Sequence, residues 1–344
     1  MSAISNVTTT AQLWVATLDL GKIPAAGWDD LAQRCDGSDR CAHAHLKRLW
    51  LRFLGLAVPK TYGVYSGPRD SAELIGHFTI VDRHGYRQFY NGISLLPAFE
   101  PQRLEVFQRA LNLLGPGDYE YGWSLSLEPS REAEFRCVSG VDIRHVQNVL
   151  VHAVDFSRWP DWEKYYRDIS ENSRRNAKKA EQAHPDMQIV VRKGFAALGA
   201  LPNLLRLRTS LYRRKNLSFD SARVFLGYVG RILVCPAETT VAWAAAGATA
   251  ETLAVYHGVE FGQYSYYLDG AAALGAEGGA WSLLITMLRR AYDRTPTGKF
   301  IMGYMVVPPT KVVPEGLMRS RRAVRVNEYP TGIVQFRWAP ELQG

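Results

Sequence analysis

Two kinds of segment alternate along this 344-residue chain, and their alternation sets its fold class. Short runs rich in β-branched and aromatic residues, at 61–65, 74–81, 239–246 and 263–268, read as strands. Between them lie stretches of helical period, such as 101–114 and 281–292, bounded by Gly and Pro. The result is a mixed α/β fold. In the first half, helical stretches at 27–42 and 44–54 precede strands at 61–65, 74–81 and 86–90. A helix at 101–114 and strands at 119–127 and 146–154 complete it. The second half opens on Trp159-Pro160-Asp161-Trp162, with a proline suited to a first helical turn, and runs helically to His184-Pro185. A strand at 187–192, helices at 201–214 and 222–229, and strands at 232–235, 239–246, 251–257 and 263–268 follow. The chain at 275–279 reads as loosely packed. A helix at 281–292 and strands at 300–305 and 333–338 end the series. At roughly 150 residues per domain the length predicts two units, 1–154 and 155–344, and both halves share a helix, strand, strand rhythm.

The segment Ser173-Arg174-Arg175-Asn176-Ala177-Lys178-Lys179 carries four cations in six residues. Arg174 and Lys178 are four apart, as are Arg175 and Lys179, so one side of the predicted helix carries a cationic stripe. Such a stripe suits either a solvated face or a docking site for an anion. Further clusters follow at Arg206, Arg208, Arg213, Arg214 and Lys215, and at Arg319, Arg321, Arg322 and Arg325. They concentrate much of the net charge of +8 in the second half. A field of this sign raises encounter rates with phosphate-bearing partners and weakens with salt.

Cysteines 35, 41, 137 and 235 form no C-x-x-C pair, which argues against a zinc site or a disulfide framework. The neighbouring Cys41, His43 and His45 invite a metal reading, but their i, i+2 imidazoles would point to opposite sides of a helix. No metal is expected. No window approaches the roughly 20 apolar residues of a membrane span, and the first 18 residues lack a secretory pattern, so a cytoplasmic protein is expected.

With these elements in order, the chain resembles the FemAB-like branch of the GNAT acyltransferase superfamily. The residues that carry the likeness are Ile169-Ser170 with Ser173-Arg174-Arg175-Asn176 and Lys178-Lys179-Ala180, then Leu211-Tyr212-Arg213-Arg214-Lys215. Thr252 to Gly258, Tyr266-Tyr267-Leu268-Asp269-Gly270 and the helix with Leu283-Leu284 continue it. The resemblance covers about 155–305 and implies tandem GNAT-like units, the first degenerate and the second catalytic. It implies transfer of an activated acyl group to an amine, with a strand splayed from its neighbour so that backbone N–H groups polarise the acyl carbonyl. The pyrophosphate-binding turn of coenzyme A users is missing. Ala276-Glu277-Gly278-Gly279-Ala280 precedes a suitable helix without the Arg or Gln, and Glu277 would repel a pyrophosphate. Aminoacyl-tRNA, the other donor of such families, suits three basic clusters better, with a coenzyme A or carrier-protein thioester as the alternative. No resident cofactor is expected. Gly262-Gln263-Tyr264-Ser265-Tyr266-Tyr267-Leu268-Asp269-Gly270 is also similar to the signature of leucyl/phenylalanyl transfer enzymes, with one residue inserted.

Carried over, that second likeness makes Asp269 the catalytic acid and Gln263 a neighbour of the substrate. Asp269 also stands on its own, as an acid ending an aromatic strand before Gly270, able either to manage an ammonium proton or to cap a turn. His257, expected at a hairpin and followed by Glu260, is a second acid/base candidate. Tyr264 and Tyr266 share one face of the strand; Tyr267 takes the other, as wall or proton relay. Ser282 is a candidate N-cap that leaves a helix terminus free for a carbonyl or phosphate oxygen. The expected scheme places donor phosphates on Arg174, Arg175, Lys178, Lys179, Arg213, Arg214 and Lys215. It places the carbonyl on N–H groups at 256–258, the acceptor proton on Asp269 helped by His257 and Tyr267, and a pocket at Gln263, Glu260 and Ser282. The acceptor is a small-molecule or peptide amine. A non-catalytic RNA-binding module is the rival reading.

Overall fold

The computed structural model describes residues 12–53, 58–216, 218–247, 251–309 and 315–340. The first half comprises β1 (Leu13–Thr17), α1 (Ala25–Arg34), α2 (His43–Phe53), β2 (Lys60–Ser66), β3 (Glu73–Arg83), β4 (Tyr86–Leu95), α3 (Arg103–Leu114), β5 (Gly117–Tyr121), α4 (Glu132–Phe135) and β6 (Val141–Asp155). After α5 (Trp162–Asp168) and α6 (Glu171–Ala183), the same succession returns. It runs β7 (Gln188–Lys193), α7 (Leu201–Arg214), α8 (Ser221–Val234), β8 (Thr239–Ala246), β9 (Glu251–Phe261), β10 (Tyr264–Ala272), α9 (Glu277–Arg294), β11 (Lys299–Val307), α10 (Glu315–Ala323) and β12 (Asn327–Trp338).

All described strands join one sheet in the order β1-β2-β3-β4-β5-β12-β6-β11-β10-β9-β8-β7. The two halves mirror one another outward from the centre, except that their last strands are exchanged. β12 lies between β5 and β6, and β6 lies between β12 and β11. The expected boundary at 154 therefore falls at the end of a strand that pairs only with second-half strands, while the chain's last strand returns to the first half.

Helices cover both faces of the second half. Ala254 and Tyr256 of β9 pack with Leu283, Leu284 and Leu288 of α9, whereas Val255 packs with Leu204 of α7 and Ile232 of α8. A strand buried on both sides shows a continuous apolar run in sequence rather than alternation. The segment at 232–235, expected as a strand, is instead the last turn of α8 and its C-cap. The Asp220 carboxylate caps that helix at Arg223 N, 3.0 Å, and Tyr228 and Ile232, one turn apart, reach the core together. The segment expected to be loosely packed at 275–279 is open only at Gly275; from residue 277 it belongs to α9 and is closely packed. Gly278, in the first turn of α9, lets α6 approach so closely that a Cβ would stand 2.7 Å from Asn176 O and 2.8 Å from Ala180 Cβ.

Candidate functional site

β10 runs parallel to β11 for three residue pairs only, from Tyr264 opposite Lys299 to Tyr266 opposite Ile301. Both strands then lose register with their other neighbours: β10 between Tyr267 and Asp269, and β11 between Ile301 and Tyr304, where Gly303 takes a φ of +109°. An inserted residue bends a strand. The two bulges, facing one another just past the last shared rung, split the sheet and leave one edge of β10 without a strand partner from Tyr267 onward.

A cavity of about 180 Å³ opens into this split on the α9 face, walled by Tyr256, Tyr267, Trp281, Leu284, Met302 and Leu317. It is largely apolar. Burial pushes the Tyr267 hydroxyl up to about 12 and raises that of Tyr256, which donates to Tyr266 O at 3.2 Å. Both remain proton donors at neutral pH. A second cavity, of about 330 Å³, lies on the opposite face between the two halves of the chain, with Tyr264, Tyr266 and Trp123 among its walls. Neighbouring strand residues point to opposite faces, so Tyr266 faces one cavity and Tyr267 the other. The cavities stand back to back across β10 where its ladder with β11 ends.

A third cavity adjoins the N-terminus of α9, lined by Lys179, Ala180 and His184 on one side and by Gly275, Ala276 and Gly278 on the other. Ala276 occupies the cap position and supplies no side-chain acceptor, which leaves first-turn N–H groups for another partner. From the other face of the sheet, Arg214 donates to Ala272 O at 2.9 Å. Cations of α6 and of the end of α7 thus flank the short connection from β10 to α9. Arg175, Lys178, Lys179, Arg213, Arg214 and Lys215 are exposed. Arg174 is half-buried: its Nε donates to Ile169 O at 3.0 Å and its guanidinium lies 5.6 Å from the centre of the Tyr166 ring.

The structure does not bring Asp269 to these α6 cations. Asp269 lies on the α7/α8 face, ion-paired with Arg208 and accepting from Tyr228, and it also accepts from Gly270 N at 2.8 Å. α6 packs beside α9 on the other face. His257 sits mid-strand on β9, not at a hairpin, 2% exposed, in edge contact with the Tyr228 ring at 4.9 Å. Burial, aided by Arg231 and Arg208, lowers its pKa to about 3. The N–H groups at 256–258 belong to a strand paired on both sides, so the free edge lies on β10 instead. Gln263 occupies the turn at the far end of β10 and donates to Asp36. Glu260 bridges Lys193, at 2.7 Å, and Arg290, at 3.1 Å; burial alone would raise its pKa, and the two cations hold it below the usual value. Ser282 lies within α9 rather than at its cap, and donates to Glu181 of α6 at 2.8 Å.

Sequence reading overlooked the cleft between the halves, where Asp36 accepts from Tyr264 at 2.7 Å and Arg103 pairs with Glu100 and, at 3.2 Å, with Glu128. Nothing in the spacing of 36, 103, 128 and 264 could have grouped them. The first half also repeats the split, because β4 and β5 pair only from Arg87 to Phe89 against Tyr119 to Tyr121. There the gap is filled: the Tyr121 hydroxyl accepts from Ile93 N at 3.1 Å and Arg103 donates to Ile93 O.

Cys41, His43 and His45 disperse. Cys41 lies 3.6 Å from Ser94 Oγ, His43 bonds Leu20 O at 3.0 Å, and His45 bonds Tyr90 at 2.9 Å. Asp39, His45 and Cys235 do bring ligand atoms within 4.8 Å of one another, but Arg231 stands 3.3 Å from Asp39 and already supplies the positive charge that carboxylate requires. No described helix is long and apolar enough to cross a membrane.

No family model and no curated protein matches the chain in sequence. In structure it is similar to FemX, with a TM-score of 0.68 over 93% of this chain and 96% of the other at 9% identity. It is also similar to a conserved protein of unknown function from Bacteroides thetaiotaomicron VPI-5482, with a TM-score of 0.54, 10% identity and coverage of 94% and 99%. L-PGS from Bacillus licheniformis aligns with a TM-score of 0.50 and 11% identity over 90% and 91%. The chain carries the FemAB-like fold, a mixed α/β architecture in which helices flank one large sheet.

Proposed function

We propose that this chain is an N-acyltransferase that moves an aminoacyl group from aminoacyl-tRNA to an amine, with catalysis in its second half. The observation that carries the reading is the pair of cavities meeting across β10 at the split. The acyl arm enters from the α9 face and lies against Tyr256, Tyr267 and Trp281. The amine approaches from the cleft between the halves. Its nitrogen attacks the ester carbonyl, the bond to the ribose oxygen breaks, and an amide forms; the amine gives up one proton and the ribose oxygen gains one. Edge N–H groups of β10 polarise the carbonyl, a role worth about 3–4 kcal/mol per donor in well-placed oxyanion sites. The Tyr267 hydroxyl, kept protonated by burial, donates toward the departing oxygen. Asp269, engaged by Arg208 and Tyr228, holds α7 and α8 on the sheet.

Cations on both faces of the β10 end suit a polyanion wider than one pyrophosphate, which favours tRNA. A thioester donor is the second reading, favoured by a donor cavity whose apolar walls present no carboxylate to an α-ammonium group. The deciding experiment supplies an amine panel with either aminoacyl-tRNA or acyl-coenzyme A, before and after ribonuclease. Nuclease-sensitive amide formation is expected. Transfer from acyl-coenzyme A that survives nuclease would remove the tRNA reading, and transfer from neither would remove the enzyme.

A further inference from the structure

Resting on the assignment of the cleft between the halves to the acceptor, we infer that the acceptor is an amino sugar without anionic groups, an amine carried on one or two hydroxylated rings. The cleft's lining is charged, yet its cations are already engaged by carboxylates. Arg103 serves Glu100 and Glu128; Arg131 serves Glu128 at 2.9 Å and Glu134 at 2.6 Å; Lys299 lies 3.8 Å from Asp155. An anionic acceptor would have to draw a cation away from these carboxylates, and Glu128 and Asp155, whose side chains are only 23% and 16% exposed, would lose part of their pairing.

Hydroxyl groups meet no such penalty. A carboxylate offers about four lone-pair sites and a guanidinium five N–H donors, so Asp36, Glu128 and Arg103 keep unused capacity after their internal bonds. Vicinal hydroxyls match the two-pronged geometry of either group. Trp123, Tyr264, Tyr266 and Tyr329 supply broad apolar surfaces for the C–H face of a ring, and Arg40, stacked 4.2 Å from the Trp123 ring centre, holds that indole in place. The volume of about 330 Å³ lies at the small end of the roughly 300–1,000 Å³ typical of small-molecule sites, which suits one or two rings. Tyr266, on the cleft wall, marks the side from which the amine would face the split.

The test is calorimetric titration of the full chain with glucosamine, cyclohexylamine and glucosamine 6-phosphate. Saturable glucosamine binding is expected, at least tenfold tighter than either comparison ligand. Trp123→Leu and Glu128→Gln should each weaken it tenfold or more, and Arg109→Ala, on the exposed side of α3 and outside the cleft's lining, should leave it unchanged. Should Glu128→Gln unfold the chain, Trp123→Leu alone reads the cleft. Equal binding of cyclohexylamine, tighter binding of the phosphorylated sugar, no glucosamine binding, or indifference to Trp123 would overturn the inference. Acyl transfer to other amines without sugar binding would sink the sugar assignment and leave the transferase standing. Sugar binding without transfer from any donor would sink the transferase instead.

Discussion

Replacing Gly270 by alanine strikes the split without touching any charge. An added Cβ would stand 2.1 Å from the Tyr267 hydroxyl and 2.9 Å from Val255 O, against the 3.4 Å at which ordinary contact begins. The shortfall at the hydroxyl is 3.4 minus 2.1, about 1.3 Å, and Tyr267 must swing by roughly that much because Val255 belongs to a strand paired on both sides. Overpacking of this kind costs about 1–3 kcal/mol of stability. A displacement of about 1 Å beside reacting atoms costs on the order of 10²-fold in rate. Urea unfolding reads the first quantity and single-turnover amide formation reads the second. Adding Tyr267→Phe to Gly270→Ala removes the most crowded atom, so stability should recover in part while turnover stays low. A Gly270→Ala chain with unaltered stability and turnover would refute both the geometry of the split and the place of Tyr267 in it.

Asp269→Asn leaves Arg208 in a largely buried site without its counter-charge, and should destabilise the chain by about 3–5 kcal/mol. Asp269→Asn with Arg208→Met should regain most of that loss, whereas a melting point unchanged by Asp269→Asn would contradict the ion pair. Lys178→Ala/Lys179→Ala should weaken tRNA binding and lower the slope of log affinity against log salt by about one for each phosphate no longer neutralised; filter binding from about 50 to 300 mM salt checks it. His77 and His257 are held near pKa 3 in the fold, chiefly by burial, against about 6.5 unfolded. Their contribution is therefore complete above pH 6.5 and is lost as pH falls toward 3, at about 1.4 kcal/mol per unit for each, or roughly 3 together for each pH unit between 6 and 4. Urea midpoints across that range test this, and His257→Phe should remove about half of the histidine slope; equal slopes in the two chains would contradict it.

Much of the architecture was legible because local rules and tertiary structure agree. The proline at 160 and the glycine at 115 sit at the borders of helices, and strands β2, β3, β4 and β8 fall close to the runs of β-branched and aromatic residues. Agreement failed where tertiary packing overrode propensity. Residues 232–234 are β-prone but complete α8 because Ile232 joins Tyr228 in the core, and the glycines at 278 and 279 look like loose chain but let α9 close on α6 and on β9. The site was partly legible. The paired tyrosines of β10 were placed on the correct faces by their alternation, and the cationic segments of α6 and α7 do reach the end of that strand. Asp269 and the α6 cations, near in chemistry, are separated by the sheet, a relation that a bulge at 268 alters and that no spacing rule reveals. The cleft draws on positions 36, 103, 128 and 264, which only the exchange of terminal strands between the halves brings together.

The central claim is that donor and acceptor occupy opposite faces of β10 and meet where it parts from β11. A crystal structure with a bisubstrate analogue, an acyl chain joined through an amide to an amino sugar, tests it most directly. The acyl chain should lie against Tyr256, Tyr267 and Trp281, the sugar against Trp123 and Tyr266, and the amide within the split. An analogue lying wholly on one face of the sheet, or gathered around Asp269 and Arg208, would contradict the account.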